Sequence, residues 1–244
     1  MIESFIHMVI LCFLLATVLV IVQMRDLLAI VMLLSIYSLL SANFFVLMDA
    51  VDVAFTEAAV GLGISTLLLL SALSLTTRFE KKRQTISALA LVGVLVTGVL
   101  LIYGTLQMPD FGSENAPIHQ HVASYYIQES LSEVGIVNLV TSVLASYRGY
   151  DTLGELCVIF TAGIGVFSLL GFRAQDIKND DFKNNFPAPM YSHHILRIVS
   201  KMLIPFILIF ALYVQFHGDF GPGGGFQAGV IFAAGLVLYA LVFG

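Results

Sequence analysis

Long runs of apolar residues, separated by shorter polar breaks, dominate the pattern along the chain. A helix needs about 20 apolar residues to cross the hydrocarbon layer of a bilayer, and seven runs reach or approach that length. The pattern therefore predicts seven transmembrane helices, at residues 2–22, 27–48, 53–75, 86–103, 152–172, 195–216 and 226–243.

The polar break between the fourth and fifth predicted helices, at 105–151, is long. Its second half carries apolar residues at helical spacing, such as Ile136, Leu139 and Val143. The apolar run there, 134–145, is too short to span, so an amphipathic helical segment at the membrane surface fits better. The predicted fold class is all-α integral membrane, with about seven transmembrane helices and one amphipathic segment.

The composition agrees with this fold class and narrows the functions. Of 244 residues, 59% are hydrophobic and only 11% are charged, with a mean hydropathy of +0.96, whereas soluble domains carry about 25% charge. The net charge of −5 argues against a nucleic-acid partner. Both cysteines, Cys12 and Cys157, lie in apolar runs, and no nucleotide, haem or nucleophile motif occurs. We therefore expect no metal, no cofactor and no catalytic role.

The basic residues predict the orientation of the chain. Ten of the eleven Lys and Arg residues fall in or beside the breaks after the first, third and fifth predicted helices, which lie on one side of the membrane. Because basic loops stay inside, the amino terminus is predicted outside, the amphipathic segment outside and the carboxyl terminus in the cytoplasm. The expected location is the inner (plasma) membrane. The ten residues are Arg25, Arg78, Lys81, Lys82, Arg83, Arg173, Lys178, Lys183, Arg197 and Lys201.

Glu57 is an ionisable residue within the third predicted span, where a charge costs about 2.5–3.5 kcal/mol on insertion scales. A stripe of small residues runs beside it at helical spacing and permits the close approach of another helix. One interpretation is a carboxylate that faces protein or internal water and carries a proton or a sodium ion. The other is an interfacial glutamate near the headgroups. The stripe consists of Ala54, Ala58, Gly61 and Ser65.

Further charged residues lie near the starts of two later spans. Arg148, Asp151 and Glu155 follow one another at spacings of three and four, which puts them on one face of a helix. They could form a capping cluster held by an ion pair, or a relay that exchanges protons with Glu57. Lys201 either snorkels to the membrane surface or points inward and belongs to an ion path.

The stretch HGDFGPGGGFQAG at 217–229 separates the last two predicted spans. Glycine permits backbone conformations closed to other residues, and proline stops a helix. Irregular backbone at membrane depth must be buried in protein or line a cavity. The residues alone favour a plain hairpin; the alternative is a compact re-entrant turn whose His217 and Asp219 touch an ion route.

Three motifs resemble segments of one family of membrane complexes. The stretch HGDFGPGGGFQAG resembles the glycine-rich signature of the B-type subunit of Mrp-type multisubunit sodium/proton antiporters and of the matching component of membrane-bound hydrogenases. VDVAFTEAAVGLGIST and NLVTSVLASYRGYDTLGE resemble consecutive segments in the carboxyl-terminal region of the large A-type subunit of Mrp antiporters. The chain then divides into three modules, 1–80, 81–175 and 190–244.

The resemblance implies a membrane subunit of a cation/proton antiporter, whose partners are antiporter-like large subunits and small membrane subunits. It implies an ion or proton path through Glu57 and the group Arg148, Asp151 and Glu155. The alternatives are a membrane-arm subunit of a redox-driven pump and a scaffold that carries no ion. The family's glycine-rich turn falls on His217, Pro222, Gly223, Gly224, Gly225 and Phe226.

The chain departs from the family pattern at three points. It has Ser146 where many relatives carry an acid, and Asp219 where many carry a second histidine. Its last module, which resembles the B-type subunit, holds two predicted helices instead of the usual four.

Overall fold

The computed structural model describes residues 2–74, 76–81, 88–110, 112–176 and 194–243, with the side chains of 170–176 left out. Within these ranges no β-strand occurs, and seven helices are long and apolar enough to cross a membrane. The predicted fold class is confirmed. The helices are α1 (Ile2–Gln23), α2 (Leu27–Leu47), α3 (Val51–Ser74), α4 (Ala88–Leu106), α5 (Ala123–Val134), α6 (Leu139–Tyr147), α7 (Gly149–Asp176), α8 (His194–His217) and α9 (Gly225–Phe243).

The seven spans are α1 to α4 and α7 to α9, and their described ends lie within four residues of the predicted ones. The predicted start of the fourth span and most of the polar connection before α8 lie outside the described residues. The same holds for four of the basic residues used to predict orientation, which are Lys82, Arg83, Lys178 and Lys183.

The α1–α2 connection is tied to the end of α3. Asp26 caps α2 by accepting a hydrogen bond from the Leu28 N–H at 3.1 Å, and its carboxylate pairs with Arg78 at 2.7 Å. Two backbone bonds run alongside, from Leu27 N–H to the Arg78 carbonyl and from Glu80 N–H to the Arg25 carbonyl. These contacts bring two of the basic breaks to the same membrane face.

The middle of α3 departs from α-helical geometry. Ala58–Ser65 is π-helical, and the helix continues as an α-helix on either side. The Thr66 hydroxyl donates to the Gly61 carbonyl at 3.3 Å, which satisfies one acceptor in the widened turn. Insertions of this kind inside α-helices are frequent at functional sites.

The last two spans, α8 and α9, form a closely packed antiparallel pair. A Cβ at Gly235 would stand 3.1 Å from the Leu208 side chain, so the absence of a side chain lets α9 approach α8. Their buried positions include Ala211, Val214 and Val242. The pair packs through α9 against α3, so the core of the described chain joins the beginning and the end of the sequence.

Helices α4 and α7 contribute no buried side chain to this core among the described residues. The leucine, valine and phenylalanine side chains of α4, and those of α7 up to Leu169, are exposed. Such faces suit contact with lipid or with other membrane helices.

The segment predicted as one amphipathic helix is in fact two helices, α5 and α6, bent by 82°. Gly135 ends α5 in the left-handed region at φ 76°, which explains the break. Buried Ser130 and Ser142 join the two helices by a hydroxyl–hydroxyl bond of 2.6 Å. The Tyr125 and Tyr147 hydroxyls both donate hydrogen bonds to the Glu133 carboxylate, so α5 and α6 are joined at a second point.

Candidate functional site

The glycine-rich stretch forms a tight turn between α8 and α9 in which several positions exclude a side chain. A Cβ at Gly223 would lie 2.6 Å from the Val214 carbonyl oxygen, and one at Gly218 would lie 3.1 Å from the Gly224 nitrogen. Gly224 itself has a φ of 142°, a conformation that other L-residues rarely adopt. The run of glycines is therefore needed for a close approach of backbone to backbone.

The turn is hydrogen-bonded to the first turns of α3. The N–H of buried Gly223 donates to Asp52 Oδ1 at 3.1 Å. One helical turn further along each partner, the side chain of buried Gln227 donates to the Thr56 hydroxyl at 2.7 Å. Two hydrogen bonds therefore join the start of α9 to the start of α3.

The same turn is also hydrogen-bonded to the start of α6. The Asn138 amide donates to the carbonyls of Gly218 and Gly221, at 3.0 and 2.8 Å, and its backbone N–H donates to the Asp219 carbonyl. The Thr141 hydroxyl adds a bond of 2.6 Å to the Gly218 carbonyl. The turn is therefore a joint where segments from all three sequence modules meet.

This arrangement changes the interpretation of the stretch. It does connect two helices as a hairpin, which the residues alone favoured, but its backbone groups are hydrogen-bonded to side chains 77 to 171 positions away. His217 stacks on Tyr213 with ring centroids 5.1 Å apart, and Asp219 and Pro222 are exposed. His217 lies 2.9 Å from the position of a Cβ at Gly221, so that glycine makes room for the imidazole.

Glu57 is half-buried and directly follows Thr56, the residue bound to the turn through Gln227. Its Oε1 lies 2.6 Å from where a Cβ at Gly61 would be, and Ser38 of α2 closes the same space. The Glu57 carboxylate is therefore directed along α3 at the first turn of the π-helical segment, toward α2. The carboxylate thus lies against α2 and α3 while remaining half-exposed, and its role as an ion carrier stays a prediction.

The group at the start of α7 is split between two environments. Arg148 Nε donates to Asp151 Oδ2 at 2.5 Å in an exposed ion pair just where α7 begins. Glu155 does not join that pair; it lines a cavity of about 420 Å³ together with Val158, Ile159 and Phe226. Phe226 belongs to the glycine-rich stretch, so this cavity connects α7 to the turn.

Lys201 lies apart from all these residues. It lines a second cavity of about 420 Å³, between the start of α8 and the end of α9, with Arg197 and several apolar side chains. That cavity is at the end of the α8–α9 pair opposite to the turn. Within the described ranges, no group of three or more His, Cys, Asp and Glu side chains could hold a metal ion.

Sequence reasoning missed the residues that hold the turn. Asn138 carried a detectable signal, because an asparagine before an apolar helical run is a typical N-cap, and it does cap α6. The others lie in largely apolar stretches with no recognisable motif, and only the folded chain reveals their contacts. They are Asp52, Thr56, Thr141 and Gln227.

Three protein-family models match consecutive parts of the chain. Residues 12–78 match MbhD and residues 105–178 match MbhE, two families described as subunits of MBH. Residues 195–244 match a domain related to the MnhB subunit of Na+/H+ antiporters. These ranges follow the order of the three segments that meet at the turn.

Individual relatives carry antiporter names. A protein of Rhizobium meliloti (strain 1021), described as a probable K(+)/H(+) antiporter A/B subunit, is 26% identical over 225 residues, which are 80% of this chain and 21% of the relative. The Na(+)/H(+) antiporter A-type subunit of Bacillus subtilis (strain 168) is 28% identical over 141 residues, 55% of this chain and 16% of the relative. The chain spans about a fifth of the length of these relatives.

A solved structure has the same fold. One chain in the structure of the Mrp complex from Dietzia sp. DQ12-45-1b is similar to this chain with a TM-score of 0.73 and 26% sequence identity. The match covers 96% of this chain and 26% of that chain, so nearly the whole of this chain corresponds to about a quarter of a longer polypeptide there.

Proposed function

We propose that the chain is a membrane subunit of the Mrp type and serves as one subunit of a multisubunit cation/proton antiporter. Its role is in transport, with no chemical reaction of its own. Support comes from the Na(+)/H(+) and K(+)/H(+) antiporter names of its relatives and from its similarity to a chain of the Mrp complex. Because those relatives differ in the cation named, the transported cation is Na+ or K+.

The residue proposed to carry charge is Glu57. A carboxylate within a span is costly in lipid and is a functional candidate by default. The Glu57 carboxylate lies between α2 and α3, next to Gly61 and Ser38, at the start of the π-helical segment. The observation that carries this proposal is the hydrogen bond between Gln227 and Thr56. It attaches α3 to the glycine-rich turn at the residue directly before Glu57.

Glu155 is the proposed second carboxylate of the path. It lines an open cavity together with Phe226, and Phe226 adjoins the turn that is bonded to α3. An acid beside a cavity of about 420 Å³, large enough for several waters, can exchange protons with solvent or with a neighbouring subunit. The exposed Arg148–Asp151 pair lies one turn away and contributes a local field at the entrance.

The remaining features concern the setting of the subunit. The chain crosses the inner membrane several times, with the amino terminus outside and the carboxyl terminus in the cytoplasm, as the positive-inside rule predicts. Large antiporter-like subunits and small membrane subunits are its partners. They cover the exposed apolar faces of α4 and of residues 149–169 in α7.

A second candidate is a membrane-arm subunit of a redox-driven ion pump. The observation that favours it is the match of two of the three segments to models named for MBH subunits. In that case the same carboxylates would respond to chemistry on other chains, and cluster-binding subunits would belong to the complex.

Purification of the complex from its native membranes tests the proposal. The chain is tagged, the co-purifying subunits are identified, and the complex is reconstituted in liposomes with an imposed sodium or potassium gradient. The proposal predicts antiporter-like subunits and cation-driven proton flux from the complex, with none from the chain alone. Iron–sulfur subunits and flux that requires an electron donor would instead favour the redox-driven pump, and flux from the isolated chain would contradict the need for partners.

A further inference from the structure

The cavity at the far end of the α8–α9 pair combines two cations with an apolar wall. It has a volume of about 420 Å³ and opens between the first turns of α8 and the last turns of α9. The Arg197 guanidinium stands 5.8 Å from the centre of the Phe243 ring, which orients it across the cavity. The lining residues are Arg197, Lys201, Ile204, Pro205, Tyr239 and Phe243.

The cavity lies at the ends of two candidate membrane spans, the first turns of α8 and the last turns of α9, where headgroups are expected. Arg197 is in the first turn of α8, and Lys201 is one turn, or about 6 Å, deeper. The opposite end of α8 carries the turn that binds the start of α3. The cavity therefore shares a membrane face with the end of α3, where Arg78 and Asp26 pair.

Two of the residues that line the cavity, Arg197 and Lys201, are cationic. No acidic side chain lines it, and the ion pairs between described residues, Asp26–Arg78 and Arg148–Asp151, do not involve Lys201. A guanidinium can bind a phosphate through two parallel hydrogen bonds, and an ammonium adds a point charge. The lining therefore favours a ligand that combines an anionic group with an apolar group.

Pro205 leaves one backbone carbonyl of α8 without its helical hydrogen bond, so that this carbonyl can accept a hydrogen bond from a ligand hydroxyl. A proline has no N–H, so it cannot make the helical bond to the carbonyl four residues earlier, which in α8 is the carbonyl of Lys201. Tyr239 supplies a phenolic hydroxyl on the opposite wall. A headgroup with a phosphate and a hydroxyl would find partners for both.

From this geometry we infer that the Arg197–Lys201 cavity binds the headgroup of an anionic phospholipid such as phosphatidylglycerol. The phosphate contacts Arg197 and Lys201, and an acyl chain lies along Ile204 and Phe243. Basic pockets between transmembrane helices are suited to anionic lipid headgroups. The bound lipid would stabilise the packing of α8 against α9 at the end opposite to the turn.

The test uses the purified complex in nanodiscs of phosphatidylcholine with increasing fractions of phosphatidylglycerol. The lipid retained after exchange is counted by mass spectrometry for the wild type, for Lys201→Gln and for the double variant Arg197→Gln, Lys201→Gln. The matched control, Arg25→Gln with Lys81→Gln, removes the same two charges at exposed positions outside the cavity. A parallel arm adds inorganic phosphate.

We expect the wild type and the control to retain phosphatidylglycerol in preference to phosphatidylcholine, and the double variant to need at least about fivefold more of it for half-saturation. Lys201→Gln, whose exposed side chain is not needed for packing, should show a smaller shift in the same direction. Equal retention in all four proteins would overturn the inference, as would displacement of the lipid by inorganic phosphate. Loss of a subunit from the double variant without a change in lipid retention would show that a protein covers the cavity.

Discussion

The backbone N–H of Gly223 donates a 3.1 Å hydrogen bond to Asp52 Oδ1, although 171 positions separate the two residues. The bond between Gln227 and Thr56 repeats this contact one turn further along both helices. Because Glu57 follows Thr56 directly, the position of its carboxylate depends on how the turn is held. The glycine-rich stretch thereby links the beginning and the end of the chain at the candidate ion-carrying residue.

Replacing Asp52 tests whether this bond stabilises the fold. Asp52→Ala leaves the buried Gly223 N–H without its acceptor, which costs about 1–3 kcal/mol. Asp52→Asn keeps an acceptor oxygen and should lose much less. Thermal unfolding of the purified protein measures the difference, with Asp110→Ala, at an exposed loop position, as the control. Equal losses for the alanine and asparagine variants would contradict the role of the acceptor.

Gly223→Ala should disrupt the turn itself. The new Cβ would stand 2.6 Å from the Val214 carbonyl oxygen and 3.1 Å from the Gly218 nitrogen, and neither backbone atom can move without displacing α8. We expect a loss of about 1–3 kcal/mol from overpacking in the free energy of unfolding. Gly229→Ala is the matched control, because nothing lies within 4 Å of its added methyl. If both variants unfold at the same temperature, the close approach is not needed.

Gly61→Ala should impair transport more than assembly. Its methyl would fall 2.6 Å from Glu57 Oε1 and 2.8 Å from the Ser38 Cβ, so the carboxylate must leave its place between α2 and α3. Cation-driven proton flux in membrane vesicles should fall, while the amount of assembled complex changes little. Gly93→Ala on exposed α4 has no atom within 4 Å and serves as the control.

A second substitution sharpens that experiment. Ser38→Gly removes the Cβ and hydroxyl that crowd the new methyl, so the pair Gly61→Ala, Ser38→Gly should recover part of the flux. If Gly61→Ala alone transports as well as the wild type, the carboxylate does not depend on this space.

The pH dependence of stability should reveal the Asp26–Arg78 pair. The hydrogen bond from Arg78 holds the pKa of Asp26 below its usual 3.8. A lowered folded-state pKa contributes stability that is present above the ordinary value and is lost as the pH falls through the folded value. The melting temperatures of the wild type and Arg78→Gln should therefore differ at neutral pH; the difference should shrink as the pH falls below about 3.8 and vanish below the folded-state pKa of Asp26.

Arg25→Gln is the control for this comparison, since the Arg25 side chain is exposed and outside the pair. It should follow the wild-type curve at every pH. A difference between the wild type and Arg78→Gln that persists unchanged at pH 3 would show that Arg78 acts through packing and not through the charge of Asp26.

Hydropathy was sufficient to predict the seven spans, since the cost of placing polar groups in lipid acts on each segment separately. The division at Gly135 was not predicted, although a glycine within a short helical run is a known terminator. The contacts of Asp52 and Gln227 could not be inferred, because they depend on how α9 packs against α3. The π-helical segment around Gly61 likewise has no periodicity that distinguishes it from an ordinary helix.

The candidate site was predicted unevenly for the same reason. Glu57 stood out because a carboxylate in an apolar run is costly wherever the helix packs. The grouping of Arg148, Asp151 and Glu155 followed from helical spacing, but only Arg148 and Asp151 form a pair. Glu155 faces a cavity with Phe226 instead, a relationship between distant segments that spacing cannot indicate.

The most direct measurement compares proton flux by complexes that carry Glu57→Gln, Glu57→Asp or the control Glu80→Gln, with assembly quantified in the same membranes. An amide binds neither a proton nor a cation as a carboxylate does. With normal assembly, Glu57→Gln should lower the flux at least about tenfold, Glu57→Asp should retain a measurable part, and the control should match the wild type. Full flux from an assembled Glu57→Gln complex would contradict the proposal that this carboxylate carries the charge.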